Sequence, residues 1–185
     1  GLADAGEQSA AIQILQATLR FADHGCLSAS RSQLWTMIGD QYLDLQDYKN
    51  ANTNYVAAFN YGKRYGSLPS NVCRLRKAAW TYSVLKDQSN ALSYARQAEA
   101  MSNDIKEVIP LQDAYLDMTF GRVMAESGER SKAIEYFNKA LPVLQAGNQD
   151  AAQWTEEYLK ALQDGTHSSA KVPPPRHEPS NQNDF

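Results

Sequence analysis

The sequence predicts an all-α protein, an α-α superhelix of antiparallel helix pairs, from three observations. First, Trp35, Ile38 and Tyr42 lie at positions i, i+3 and i+7, which places them on one face of a helix. Second, residues 51–58 form a comparable face with an alanine at each end. Third, this two-helix unit returns about every 41 residues. One pair cannot bury its own apolar faces, so we expect several pairs to stack.

Residues 31–65 hold the first complete pair, with helices expected at about 31–45 and 48–65. Gly39 lies among the apolar residues of the first helix and leaves a notch where the second helix can approach. Between the helices, Asp47 is placed to cap the second one, because its carboxylate can accept a hydrogen bond from a free backbone N–H. These local signals predict a helical hairpin.

The same hairpin recurs in register along the chain. The alanines that open the second helices are separated by 41, 40 and 42 residues, and the turn between the helices returns with Asp47, Asp87 and Glu129 in equivalent places. Each alanine is followed by further core-type residues at i+4 and i+7. The four sets are Ala10/Ile14/Ala17, Ala51/Tyr55/Ala58, Ala91/Ala95/Ala98 and Ala133/Phe137/Ala140.

The chain begins with half a repeat. We expect a helix over 8–23 that ends at His24-Gly25, since glycine favours the left-handed conformation that stops helices. Ser70 is expected to cap the helix that starts near residue 71. The complete repeats are predicted at about 31–65, 71–102 and 111–145.

The chain ends with a capping helix and a tail. Residues 150–163 are apolar on one side and polar on the other, as a terminal helix of a stack must be. We therefore expect one domain over 1–163. From 164 to 185 the chain has no apolar period and is rich in proline and polar residues, so we predict a disordered tail.

In these registers the chain resembles the tetratricopeptide repeat (TPR) superfamily over roughly residues 9–146, with extended repeats of about 40–42 residues. The residues Trp35-x-x-Ile38-Gly39-x-x-Tyr42 carry the resemblance most clearly. It implies a right-handed solenoid. It also implies that the first helix of each pair lines a concave groove that binds peptides or partner proteins.

Composition limits the classes of protein to consider. The chain has 185 residues, of which 43% are hydrophobic, and no apolar run approaches the ~18 residues of a membrane-spanning helix. We expect no membrane insertion and a cytoplasmic location, with a processed or periplasmic fragment as the alternative. Because the sequence begins at Gly1 within half a repeat, we expect a fragment or a processed protein. Cys26 and Cys73 are expected to be free thiols, with a bridge between them as the alternative.

Charge is unevenly distributed along the sequence. The segment 48–86 holds seven basic residues and no acidic one, although the whole chain has 18 basic and 21 acidic residues. A groove lined by this segment would attract an acidic partner. Aromatic residues interleave with the basic ones, as they do on some nucleic-acid surfaces, but the acidic flanks argue against nucleic acid.

The sequence does not assemble residues for catalysis. His24 lies at a predicted helix end and His167 and His177 lie in the tail, so no two histidines share a helix at the spacing of metal ligands. We expect no enzymatic activity, no metal and no cofactor.

The resemblance implies eight partner-binding positions on the first helices. Arg76, Lys77 and Trp80 lie at i, i+1 and i+4 and share one surface, to which Arg122 adds a cation from the next repeat. Such a surface is suited to anchor acidic and apolar side chains. Alternatively, Trp80 packs against a neighbouring helix and the cations are only solvated. The eight positions are Met37, Asp40, Arg76, Lys77, Trp80, Tyr115, Thr119 and Arg122.

The sequence therefore predicts a non-enzymatic interaction module, an adaptor, scaffold or assembly factor. Its partner would be an acidic and apolar peptide or partner-protein segment held in the groove. One alternative is a ligand-sensing regulatory domain of a larger signalling or transcription-control protein. Another is a self-associating scaffold, a homo-oligomer in which the basic middle of one copy docks on the acidic flanks of the next.

Overall fold

The computed structural model describes residues 2–22, 28–106 and 109–166, and in these ranges the chain forms eight α-helices and no strand. Each helix packs against the next along the chain, and α4 also packs against α6. The predicted all-α superhelix is confirmed. The helices are α1 (Leu2–Ala22), α2 (Ser28–Asp44), α3 (Tyr48–Tyr65), α4 (Leu68–Val84), α5 (Gln88–Asn103), α6 (Pro110–Glu126), α7 (Arg130–Gly147) and α8 (Gln149–Gln163).

The helix bounds agree with the predicted ones to within three residues, except that α1 begins at Leu2 rather than at residue 8. The predicted cap of α4 is wrong. Ser67, not Ser70, is the N-cap, and its hydroxyl accepts a hydrogen bond from the Ser70 N–H at 3.3 Å. Pro69 then falls in the first turn, where its missing N–H costs nothing because that group has no intrahelical partner. The predicted helix stop at His24-Gly25 lies outside the described residues, and so does the predicted tail from residue 167 onward.

The turn inside each pair has the same backbone conformation. Gln46, Lys86 and Gly128 hold equivalent positions and all have positive φ angles, of 58°, 65° and 80°. This left-handed conformation favours glycine, yet only one of the three positions carries it. The repeating turn is therefore fixed by the packing of the two helices rather than by the residue in the turn.

The second helices α3 and α5 begin with the same cap. Asp47 Oδ1 accepts from the Asn50 N–H at 3.1 Å, and Asp47 Oδ2 accepts from Asn50 Nδ2 at 2.7 Å. Asp87 and Asn90 repeat both hydrogen bonds at the same distances. The predicted caps are confirmed at these two positions, whereas the side chain of Glu129 caps nothing.

Close approach of the two helices in a pair depends on small residues opposite large ones. A Cβ atom on Gly39 would lie 2.6 Å from the ring of Tyr55, and one on Gly121 would lie 2.9 Å from the ring of Phe137. The predicted notch at Gly39 is therefore confirmed. In the middle pair, Ala79 faces the pair interface and is fully buried in one cluster with small residues of α5, so no aromatic ring needs a notch there.

Helix α8 closes the far end of the array. Its buried residues include Trp154, Tyr158 and Leu162, whereas Glu156 and Lys160 on its other side are exposed. Trp154 contacts the ring of Tyr158 and also reaches across to the ring of Trp80 in α4, with centroid distances of 4.9 Å in both cases. Helix α8 therefore covers part of the face on which α4 and α6 lie.

We predict that Gly39→Ala lowers the free energy of unfolding by about 1–3 kcal/mol, because the new methyl group would overlap the rigid ring of Tyr55. Gly6→Ala is the matched control. It lies on an exposed part of α1 with nothing near its Cβ position, so alanine should leave stability unchanged or raise it by about 0.5–1 kcal/mol. Urea unfolding followed by circular dichroism measures both. A Gly39→Ala protein as stable as the parent would contradict the notch.

We predict that Gln46→Gly stabilises the chain by roughly 1 kcal/mol, because glycine adopts the left-handed conformation at φ 58° without strain. The control is Gln13→Gly, on the exposed side of α1, where the same substitution in a helix interior should cost about 0.5–1 kcal/mol. Thermal unfolding of both variants shows whether each substitution raises or lowers stability. Equal destabilisation by the two would show that the turn is not strained.

Candidate functional site

The first helices α2, α4 and α6 lie side by side, and the predicted binding positions meet there. Lys77 donates a hydrogen bond to Asp40 at 2.7 Å, the Arg76 guanidinium lies 4.8 Å from the ring centre of Tyr115, and that of Arg122 lies 4.7 Å from Trp80. We call this surface the first-helix face. It consists of Met37, Asp40, Arg76, Lys77, Trp80, Tyr115, Thr119 and Arg122.

The first-helix face is open at one end and closed at the other. Met37 on α2 is 44% exposed, and the side chains of Asp40 and Lys77 are 29% and 17% exposed. Towards α6 the face becomes buried, and Arg122 is fully buried. The sequence thus predicted which residues share this face but not which of them solvent reaches.

The predicted exposed hot spot is not on the surface. Arg76 and Trp80 are each 3% exposed, Tyr115 is 2% exposed, and Thr119 is fully buried with its hydroxyl donating to the Tyr115 carbonyl. The physical reason for the burial of Trp80 is α8, whose Trp154 ring packs against it at a tilt of 58°. Of the stated alternative, the packing of Trp80 against a neighbouring helix is confirmed, but solvated cations are wrong for Arg76 and Arg122, which are buried against aromatic rings.

Arg122 is held between aromatic rings rather than by hydrogen bonds. Its guanidinium lies over Trp80 and, at 5.9 Å, near the ring of Tyr158 from α8. Glu126 Oε1 lies 3.7 Å from Nη2, too far for a hydrogen bond, and none of the three guanidinium nitrogens has a hydrogen-bond partner among the described residues. Burial lowers the pKa of Arg122, while Tyr158 and Glu126 oppose that change. This is a buried cation with unused donors.

Other buried donors of α4 and α8 also lack acceptors. The indole N–H groups of Trp80 and Trp154 and the hydroxyl of Ser83 are buried without a hydrogen-bond partner in the described part of the chain. Glu126, in contrast, accepts from Lys86 and lies 3.5 Å from the hydroxyl of Tyr158. The closed end of the first-helix face is therefore rich in donors.

At the open end, Asp40 ties α2, α3 and α4 together. Its Oδ1 accepts hydrogen bonds from Lys77 Nζ and from the hydroxyl of Tyr55, each at 2.7 Å. Burial alone would lower the pKa of Lys77, but the Asp40 carboxylate raises it, and the resulting pKa lies above the usual value. Burial, reinforced by Asp40, raises the pKa of Tyr55. Lys77 therefore stays protonated near neutral pH.

One buried cation was missed by the sequence analysis. Arg74 donates to Asn71 Oδ1 at 2.9 Å and to Thr36 Oγ1 at 3.3 Å, and so links α4 to α2. A Cβ on Gly62 or Gly66 would lie 2.5 or 2.8 Å from Arg74 Nη1. The two glycines therefore leave room for the guanidinium. Their spacing of four residues at the end of a helix was the feature of the sequence that could have indicated a buried side chain there.

The basic segment lines the groove less than predicted. Arg74 and Arg76 are buried between helices, and Lys77 is largely buried in its ion pair with Asp40. The exposed members are Lys49, Lys63, Arg64 and Lys86, of which Lys86 pairs with Glu126. The reason is that residues of α4 face both α2 and α6, so cations on this helix point into interfaces.

The described residues offer no metal centre, since no group of three or more His, Cys, Asp or Glu among them could hold a metal ion. In the same part of the chain, no helix has the length and apolar character needed to cross a membrane. Cys73 is a partly buried thiol that forms no disulfide bond with another described residue, and Arg76 Nη2 lies 4.0 Å from its Sγ. Cys26 lies outside the described residues.

The fold and this face together define an all-α protein of helical-repeat architecture. No protein-family model matches the chain, and no curated protein matches it.

We predict that Arg122→Met raises the free energy of unfolding by about 1–4 kcal/mol. Methionine fills a similar volume between Trp80 and Tyr158, and the cost of burying a charge with no hydrogen bonds disappears. Chemical denaturation monitored by tryptophan fluorescence measures the change. A strongly destabilised Arg122→Met protein would show that the cation–π contacts outweigh the cost of burial.

Removing the negative charge of Glu126 should change stability in the opposite direction. Glu126→Gln leaves the charge of Arg122 buried without the nearby carboxylate, so we predict that the free energy of unfolding falls by about 3–5 kcal/mol. The control is Glu129→Gln, which breaks an exposed pair with Lys132 and should change stability little. Similar effects for the two glutamates, in the same denaturation assay, would contradict the importance of the buried pair.

Proposed function

We propose that this chain is a TPR-like interaction module that binds an acidic and apolar segment of a partner protein on its first-helix face. The observation that carries the proposal is the opening of this face at α2. There Met37 is 44% exposed beside the half-buried Asp40–Lys77 pair, so an apolar contact and a charged one are available together. An apolar anchor next to a partly desolvated charge is the usual composition of a binding hot spot.

The TPR-like assignment is supported by the construction of the pairs. Gly39 opposite Tyr55 and Gly121 opposite Phe137 give two pairs the same small-to-large contact, and equivalent turns join their helices. Repeats of this kind place their first helices along one continuous surface. A preformed surface of this kind binds an extended segment with little reordering.

The preference for an acidic partner is supported by the charges of the face. Arg76, Lys77 and Arg122 place three cations on it, with Asp40 and Glu126 as the carboxylates in contact with them. Cations held in surroundings of low dielectric constant exert a longer-range field than solvated ones. An incoming carboxylate would meet Lys77 first, because it is the most exposed of the three.

We predict that peptides selected by this chain from a random displayed library are enriched in Asp or Glu next to Leu, Ile or Phe. Binding of one selected peptide, measured by fluorescence polarisation, should weaken at least about tenfold in Met37→Glu, which puts a negative charge on the open end of the face. Because Met37 is exposed, this variant should keep its helical spectrum and stability.

The matched control is Leu85→Glu, a similar substitution at a residue that is 41% exposed in the turn between α4 and α5. It should bind the peptide as the parent does. Equal weakening by Met37→Glu and Leu85→Glu, or selection of basic peptides, would refute the proposed site. Failure to select any peptide would refute the proposed function.

A further inference from the structure

A cavity of about 540 Å³ lies where the end of α5, the start of α6 and the middle of α7 meet. Its size falls within the ~300–1,000 Å³ of typical ligand pockets. Asp113, Asp117 and Phe120 of α6 line it and lie at i, i+4 and i+7, on one face of that helix. Tyr115, Thr119 and Arg122 lie on the other side of α6, so this cavity is separate from the first-helix face.

The cavity exists because the connection between the second and third pairs is long. After α5 ends at Asn103, the chain runs to Pro110 before α6 begins, and Ile105 and Ile109 of this connection line the cavity. With Phe120 and Val143 they give it an apolar part. Phe120 is fixed there by stacking on the ring of Tyr136 at 5.1 Å.

The polar part of the cavity is acidic. Asp117 is only 8% exposed, and its Oδ1 accepts a hydrogen bond from Lys139 Nζ at 2.9 Å. Its other oxygen, Oδ2, accepts none from the described residues, and the Lys139 side chain is itself 70% exposed. Glu99 and Asp113 add two more carboxylates to the lining. Asp117 is therefore a largely buried carboxylate with a solvated counter-ion, and its Oδ2 is available to a further donor.

Burial raises the pKa of Asp117 although the hydrogen bond from Lys139 opposes that change, and the charges of Asp113 and Glu99 raise it further. A second cation close to Asp117 would therefore be favourable. It would not be a metal ion, since no three carboxylates of the described residues are placed to share one. The apolar part of the lining instead favours a cation on an aliphatic stem.

We infer that this cavity binds an arginine side chain of a partner protein. The guanidinium would donate to Asp117 Oδ2 and approach Glu99, and its methylene groups would cover Ile105 and Phe120. Gln112 also lines the cavity, and its Nε2 is buried without an acceptor among the described residues. Arginine is favoured over lysine because its planar fork can reach two carboxylates at once. The inference does not depend on the proposed function of the first-helix face.

The test is a titration of the ¹⁵N-labelled full chain with N-acetyl-L-arginine amide, followed by NMR chemical shifts. We expect saturable shifts at Ile105, Asp113 and Asp117, in the millimolar range that suits so small a probe. N-acetyl-L-citrulline amide has nearly the same shape without the charge, so it should bind at least about tenfold more weakly.

Two variants report on the carboxylates. Asp117→Asn should weaken binding of the arginine probe at least about tenfold. Glu99→Gln should weaken binding by a smaller factor, and because Glu99 is exposed this change should not affect folding. Glu135→Gln, an exposed glutamate of α7 that does not line the cavity, should leave binding unchanged. The amide spectrum of each variant shows whether it is folded.

Three results would overturn the inference. Equal binding of the citrulline probe would make the cavity an apolar site, and undiminished binding by Glu99→Gln and a folded Asp117→Asn would place the cation elsewhere. The third result is the appearance of the same shifts without any probe as the protein concentration rises. If Lys63→Ser/Arg64→Ser, which removes an exposed basic pair at the end of α3, abolishes them, the occupant is a second copy rather than a different protein.

Discussion

The close approach of the two helices within each pair is the constraint on which the rest of the structure depends. Gly39 admits the ring of Tyr55, and Gly121 admits that of Phe137, each where one methyl group would overlap the ring. Because an aromatic ring has little room to shift in a packed interior, this contact fixes the register of these two pairs, and the middle pair reaches the same close approach with small residues on both helices. The register in turn sets the turn conformation and decides which residues of the first helices meet on one face.

That constraint also explains why charge is buried at the closed end of the first-helix face. Once α4 and α6 are in register, Trp80 and Arg122 must lie against each other, and Trp154 and Tyr158 of α8 cover them. A buried guanidinium without hydrogen bonds is costly, and an apolar side chain would serve packing better. Stacking on Trp80 and the nearby Glu126 offset part of the cost, but they do not use the donors of the guanidinium.

Sequence reasoning succeeded where the determining contacts are local. Helix bounds, the turns at Asp47 and Asp87 and the notch at Gly39 depend on residues within one pair, and periodicity captures them. It failed where distant elements decide. The burial of Trp80 depends on Trp154, 74 residues further along the chain, and that of Arg74 depends on Gly62 and Thr36 in other helices. Arg76 and Trp80 contact residues of α6, whereas Lys77 contacts Asp40 of α2, and which of these side chains solvent reaches depends on those other helices.

Helix α6 has an unusual combination of residues, because it buries an incompletely compensated charge on each of two opposite sides. Arg122 lies on one side with unused donors. Asp117 lies on the other, where its Oδ1 accepts a hydrogen bond from the exposed Lys139. The repeat does not require a charge at either position. In the middle pair, the equivalent contacts within the core are made by apolar residues. Folding alone would favour apolar residues at both positions. Residues that lower stability in this way are typical of sites that meet a ligand, where the cost is recovered on binding. The first-helix face and the cavity both include residues of α6, and they would bind groups of opposite charge. The argument from stability applies to Asp117, which lines a cavity that a ligand can enter, whereas Arg122 is fully buried beneath α8.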